Sequence, residues 1–321
     1  MKKNDYLFAV ASVRALENSL LKHSDLEQLI NAEDYNRAIA MLSEKGYEIS
    51  STDYSSVLDE ELEKTWDYVS KAAPESDSLK AFIVKNDFQN LKAIIKAEVM
   101  SYNAEDYLVK PSVIEPEKLL KAVKERKFDE LPEFISVSAQ NAIELISTTG
   151  NGQLSDAVID AAAISAITSF LKAENDSLLS EYADTFCAVT DIKTAYRAVK
   201  TGKNRAFIER SVAPCEKLSK DDLVNAAASG IDELLDYLVS SGFSDYKAEL
   251  DKSGTAFEKY CDDKLLQIIK KAKMTAFGVS PLAAYFVAKE TEIKCLRIIL
   301  SGKLCFVSGD IIRERMRELY V

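Results

Sequence analysis

Histidine is almost absent from this 321-residue chain: His23 is the sole one, which excludes a His-rich metal site. Glycine (10) and proline (6) are scarce, so turns are few and regular elements long. The five cysteines, Cys187, Cys215, Cys261, Cys295 and Cys305, form no C-x-x-C pair, and their odd, scattered placement suits reduced thiols. Cys187 and Cys295 fall in apolar helical patterns and read as buried, inert thiols. No G-x-x-x-x-G-K-[ST] loop is present to cradle a nucleoside triphosphate. Gly150-Asn151-Gly152 is too short for a dinucleotide fingerprint, has no strand ahead of it, and reads as a tight turn. No apolar run approaches the roughly 20 residues that span a bilayer. The opening Met1-Lys2-Lys3-Asn4-Asp5-Tyr6 turns polar and acidic too early for a signal peptide, which gives the expectation of a cytoplasmic chain.

What is present is a globular composition, 47% hydrophobic and 29% charged, with a net charge of −11. That sign opposes binding to nucleic acid phosphates and broad adhesion to anionic lipid. Contact with a membrane would have to run through a protein already in it. Ala, Leu, Lys and Glu dominate, and no apolar/polar alternation flanked by hairpin turns occurs, so the chain is expected to be all-α.

The pattern predicts a first helix over about 6–21. A second follows Ser24-Asp25 and ends at Gly46, and a third runs from Ser55 to Ala73 with the only tryptophan, Trp66. Ser78 to Met100 reads as a helical pair, and Ala157 to Leu171 as an alanine-rich helix. The C-terminal stretch is the most strongly marked. Ser280-Pro281 starts a helix, and Leu282, Phe286, Ile293, Leu296 and Leu300 give it one apolar face. Gly302 is expected just past its end. Asp310 then caps a last helix, 311–320, with Ile312, Met316 and Leu319 on one face.

Two patterns repeat in the same order. Phe88, Leu91, Lys92 and Ile95 return as Val189, Ile192, Lys193 and Tyr196, and again as Ile293, Leu296, Arg297 and Leu300. Leu29-Ile30-Asn31-Ala32 returns as Leu119-Leu120-Lys121-Ala122 and as Leu223-Val224-Asn225-Ala226. Offsets of about 90–104 residues exceed those of short solenoid repeats and point to three multi-helix units. The boundaries this predicts are 1–105, 106–208 and 209–321.

The C-terminal text PLAAYFVAKETEIKCLRIILSGK with IRERMRELYV closely resembles that of the C subunit of the prokaryotic V/A-type rotary ATPase, counterpart of the eukaryotic d subunit. The opening YLFAVASVRALENSLL, with Arg14, Leu16 and Glu17, resembles the start of the same family. The resemblance covers essentially the whole chain and is loosest between about Ile143 and Leu179. It implies a funnel of three related helical units about a pseudo-three-fold axis. It also implies a non-catalytic rotor component between the central shaft, made of the D and F subunits, and the membrane proteolipid ring. ATP hydrolysis or synthesis would thereby be coupled to H⁺ or Na⁺ transport. The rival expectation is a helical-repeat scaffold or regulatory module unrelated to a motor.

No catalytic constellation and no cofactor site is expected. His23 reads as a helix C-terminal residue rather than a general base. Acidic pairs such as Glu60-Glu61 and Asp262-Asp263 read as solvated faces. Lys289 lies on the apolar stripe of its helix and calls for a carboxylate on a neighbouring helix. Lys92, Lys193 and Arg297 hold equivalent places in the three repeats; either each snorkels beside its own helix, or together they ring an axis and meet an acidic partner.

Overall fold

A computed structural model of the chain describes residues 6–49 and 53–321. Among them are seventeen α-helices, three short 3-10 turns and no strand. In chain order the helices are α1 (Leu7–Glu17), α2 (His23–Asn31), α3 (Tyr35–Glu44), α4 (Tyr54–Ala72), α5 (Asp77–Lys80), α6 (Val84–Met100), α7 (Pro116–Glu125), α8 (Glu133–Thr149) and α9 (Gly152–Lys172). There follow α10 (Ser177–Lys200), α11 (Arg205–Ser211), α12 (Lys220–Ser229), α13 (Ile231–Ser240), α14 (Ser244–Lys252), α15 (Gly254–Lys270), α16 (Ser280–Leu304) and α17 (Gly309–Arg315). The all-α expectation holds. The chain divides into two compact units: one joins its start, up to Ser76, with Ala248–Val321, and the other is Asp77–Lys247.

The first unit is built on α16, which α1, α2, α3, α4, α15 and α17 all touch. Its apolar residues were expected on one stripe; instead Val279 to Ala288 are buried without interruption, because helices pack around the whole N-terminal half. Farther along, Ile293, Leu296, Ile299 and Leu300 share one core with Leu26, Leu29, Ile30, Leu42 and Leu58 from the chain's start. Ile312, Met316 and Leu319 complete that core, although α17 ends at Arg315 and the last two reach it from beyond the helix. Trp66 meets Phe286 edge to face, ring centroids 5.8 Å apart.

Three local expectations change. The predicted second helix is two, α2 and α3, separated where Asp34 turns extended and accepts the Arg37 N–H at 2.8 Å. His23 opens α2 rather than ending α1. Gly302 lies inside α16, not past it; the left-handed turn expected of it falls to Phe306, with φ 54. Gly302 is needed for room, since a Cβ there would sit 2.8 Å from the Ile312 side chain.

The second unit is built on α9, packed by α5, α6, α8, α10 and α11. This helix of 21 residues, mean hydropathy 1.5 over its most apolar stretch, is long and apolar enough to cross a membrane by length and composition. It contains the alanine-rich helix expected over Ala157 to Leu171, and Asp156 and Asp160 interrupt its apolar run. Both aspartates are ion-paired to α6, Asp156 with Lys96 at 2.7 Å and Asp160 with Lys92. Ile159, Ile164, Ile167 and Leu171 are buried within the unit. The expected turn ahead of it is present: Gly150 has φ +63, and Asn151 caps α9 by accepting the Leu154 N–H.

Gly302→Ala tests the α17 contact. Helix propensity favours alanine by about 1 kcal/mol, whereas overpacking a core costs about 1–3 kcal/mol. We expect a net loss of stability, partly restored by adding Ile312→Val, read from the urea midpoint of Trp66 fluorescence. A variant as stable as the parent would show the contact to be slack.

Candidate functional site

One of three buried carboxylates among the described residues is Glu292 on α16, 1% exposed. Its Oε2 accepts the Leu21 N–H ahead of α2, and its Oε1 accepts the Tyr47 hydroxyl and the Lys289 Nζ, the latter at 2.7 Å. Lys289 also donates to the Tyr47 oxygen at 2.7 Å and lies 4.7 Å from that ring's centroid. Burial, reinforced by the Glu292 charge, pushes the Tyr47 hydroxyl far above its ordinary range, so it stays a donor. Lys289 therefore finds the carboxylate it was expected to need, but three residues on along its own helix. A charge pair at this depth persists because each remaining polar atom has a partner.

Two more buried carboxylates do the same work on other long helices. Asp87 on α6 accepts the Val113 and Ile114 N–H groups at 3.0 and 2.7 Å, just before α7. Beside it Asn90 exchanges two hydrogen bonds with Val109, and Asn86 donates to the Pro111 carbonyl. One face of α6 thus holds the linker by its backbone. Asp191 on α10 accepts the Ala213 N–H at 3.0 Å, ahead of α12. Burial raises Asp87 to about 6 against the pull of its two amide donors, and raises Asp191 to about 7.

These three latches link the two sequence patterns. In each case a carboxylate on the helix bearing the first pattern (α6, α10, α16) holds the backbone leading into the helix bearing the second (α7, α12, α2). Asp87 and Glu292 directly precede Phe88 and Ile293, so the expected register fits both. Asp191 lies two positions after Val189, and a register set on the carboxylates puts Tyr196, not Lys193, at the place of Lys92 and Arg297.

Lys92 pairs with Asp160 of α9, and Arg297 with Asp59 of α4 at 2.5 Å and Ser55 at 3.3 Å. Lys193 is half-buried on α10. Arg14 bonds Glu17 at 2.6 Å and the Thr275 carbonyl at 3.1 Å, tying α1 to the turn after α15. Asp262 and Asp263 are not merely solvated: Asp262 bonds Arg317 at 2.8 Å and Asp263 accepts the Glu318 N–H at 2.8 Å. His23 lines an open groove of about 530 Å³ together with Glu27, Lys259 and Arg313. Asp87, Asp191 and Glu292 were missed by the sequence reading. The available signal was an acid inside an otherwise apolar helical face, as in Val84, Asp87, Phe88 and Leu91.

Glu292→Ala strands Lys289 and Tyr47 and should cost about 3–5 kcal/mol, whereas Arg297→Ala breaks an exposed pair and should cost under about 1 kcal/mol. Trp66 fluorescence in urea distinguishes them; equal effects would mean that the Glu292 cluster is no more than a surface pair.

The two raised aspartates bind protons more readily folded than unfolded. Their stabilising contribution is complete below the ordinary value of 3.8 and is lost as pH rises through about 6 and about 7. Asp191→Asn should therefore lose less stability than the parent between about pH 5 and about pH 8, by urea titration followed with circular dichroism. Identical pH profiles would remove Asp191 from this account.

The profile of the family described as ATP synthase (C/AC39) subunit matches residues 9–315. The C subunit of the V-type sodium ATPase of Enterococcus hirae is 23% identical over 319 residues, covering 96% of this chain and 97% of its own. The C subunits of the A-type ATP synthases of Methanocaldococcus jannaschii and Methanothermobacter thermautotrophicus are 23% and 24% identical. They cover 98% and 93% of this chain, and 86% and 84% of their own. A match running from α1 to the end of α17 leaves one assignment: the chain belongs to the ATP synthase (C/AC39) subunit family.

Proposed function

We propose that this chain is a non-catalytic central-stalk subunit of a V/A-type rotary ATPase, coupling the shaft made of the D and F subunits to the membrane proteolipid ring. The observation that carries the reading is the end-to-end match to C subunits of V-type and A-type enzymes. Within such an enzyme it works at the cytoplasmic face as a peripheral part, so that ATP turnover and ion transport are linked through it. A coupling part has two docking tasks and no reaction of its own. It must resist deformation, and close-packed helices whose linkers are held by buried side chains suit that demand.

The same reading keeps three helical repeats, 1–105, 106–208 and 209–321, arranged with approximate three-fold symmetry. What supports it is the latch found on three long helices, each holding the approach to a short amphipathic helix. Lys92, Lys193 and Arg297 remain the candidate cations for an acidic partner, and Lys289 the inter-element cation.

Reconstitution tests the function. Mixed with the purified D–F pair and the isolated ring, the chain should bind the shaft one to one, and shaft and ring should join only in its presence. Binding to neither partner at low and moderate salt would overturn the coupling role in favour of a helical scaffold. Reversing Lys92, Lys193 and Arg297 to glutamate together should weaken partner binding while the circular dichroism spectrum is kept. Unchanged binding by the folded variant would end the cation proposal.

A further inference from the structure

The backbone ahead of α12 is laid against α10 by more than Asp191. The Cys187 thiol donates to the Pro214 carbonyl at 3.4 Å and faces the Asp191 Oδ2 at 3.8 Å. The Cys215 thiol faces the Asp184 carbonyl at 4.0 Å, one turn before Cys187 on α10. Cys187 is buried, Cys215 is half-buried, and both belong to one small apolar cluster with Ile164 and Ala213. Next to Cys215 in the chain, Glu216 pairs with Lys172, which also bonds Asp184, and Lys217 donates to Thr185.

We propose that Cys215 is a peroxide-reactive thiol and that Cys187 resolves it to an intramolecular disulfide. Hydrogen bonding from the Cys187 side chain, with help from the Lys217 and Leu218 backbone, draws the Cys215 thiol below its ordinary range against burial and the Asp184 charge. In the first step the Cys215 thiolate attacks hydrogen peroxide: a sulfur–oxygen bond forms, the oxygen–oxygen bond breaks, and the departing hydroxide takes a proton and leaves as water. In the second, Cys187 passes its proton to the Asp191 carboxylate and its sulfur displaces hydroxide from the Cys215 sulfenic acid. That hydroxide leaves as water with a proton returned by Asp191. Two thiols lose two electrons and two protons, and one peroxide becomes two waters.

The other cysteines set the contrast. Burial pushes Cys295 up to about 11, and Cys261 is buried. Cys305 is exposed and is the thiol that accessibility alone would pick. The site depends on neither shaft nor ring, so its test is separate from the coupling role.

The reduced full chain is treated with hydrogen peroxide near neutral pH, quenched with N-ethylmaleimide, and digested without reductant for mass mapping. The expected product is a peptide joining Cys187 to Cys215, formed while Cys305 still takes the label. Cys187→Ser should leave Cys215 as a sulfenic acid that dimedone traps, and Asp191→Asn should slow the disulfide without slowing that trapping. If Cys305 is consumed first while both Cys187 and Cys215 remain labelled, the proposal is overturned. It is equally overturned if Cys215 in the parent chain advances to sulfinic acid with Cys187 still free. Should either variant fail to fold by circular dichroism, the order of consumption in the parent decides.

Discussion

The fold of the first unit depends on a single buried anion. Glu292 accepts from an amide 271 positions away and from a hydroxyl 245 positions away, and a lysine on its own helix neutralises it. Removing Glu292 takes the acceptor from the Leu21 N–H, the Tyr47 hydroxyl and Lys289 at once, so the group stands or falls with it. Apolar packing alone would let α2 slide along α16; a carboxylate answering one named N–H sets where it stops. The chain must close a very long loop before this bond forms, and contacts of that span are the slow ones in folding. The ends of the chain therefore complete the first unit late.

The sequence disclosed the helices better than their limits. Apolar periodicity shows which stretches are helical, and both repeat patterns fell on elements that the structure ties together. Periodicity is nearly blind to a short break that keeps phase, which is why α2 and α3 read as one until Asp34 was seen turning the chain. Gly302 misled for a related reason. A glycine near a helix end obeys the capping rule by default, and only the nearness of Ile312 reveals that space, not φ, is what it provides. The buried acids were least legible. With 52 carboxylates in the chain, identity does not separate Asp87 from a surface aspartate; burial and a waiting backbone N–H do.

The three latches share a task but differ in electrostatics. Glu292 has a lysine bonded to it, whereas Asp87 has only amide donors and Asp191 an amide and a thiol. Burying a carboxylate without a bonded cation raises its proton affinity, which is what both aspartates show. An aspartate is long enough to reach one neighbouring segment. Glutamate, one methylene longer, lets Glu292 serve Leu21 and Tyr47 through separate oxygens while Lys289 folds back onto it.

For the coupling role proposed above, these choices carry a consequence. Torque strains the links between helices before it strains the helices, because an irregular linker has no ladder of its own to resist rotation about φ and ψ. Here the linkers before α2, α7 and α12 are held by side chains projecting from long helices, so pulling on a linker pulls on a packed element. Hydrogen bonds to a carboxylate are stronger than those between neutral groups, and in a dry interior they are not exchanged for water. In the proposed role these acids serve from inside, as the holders of the linkers.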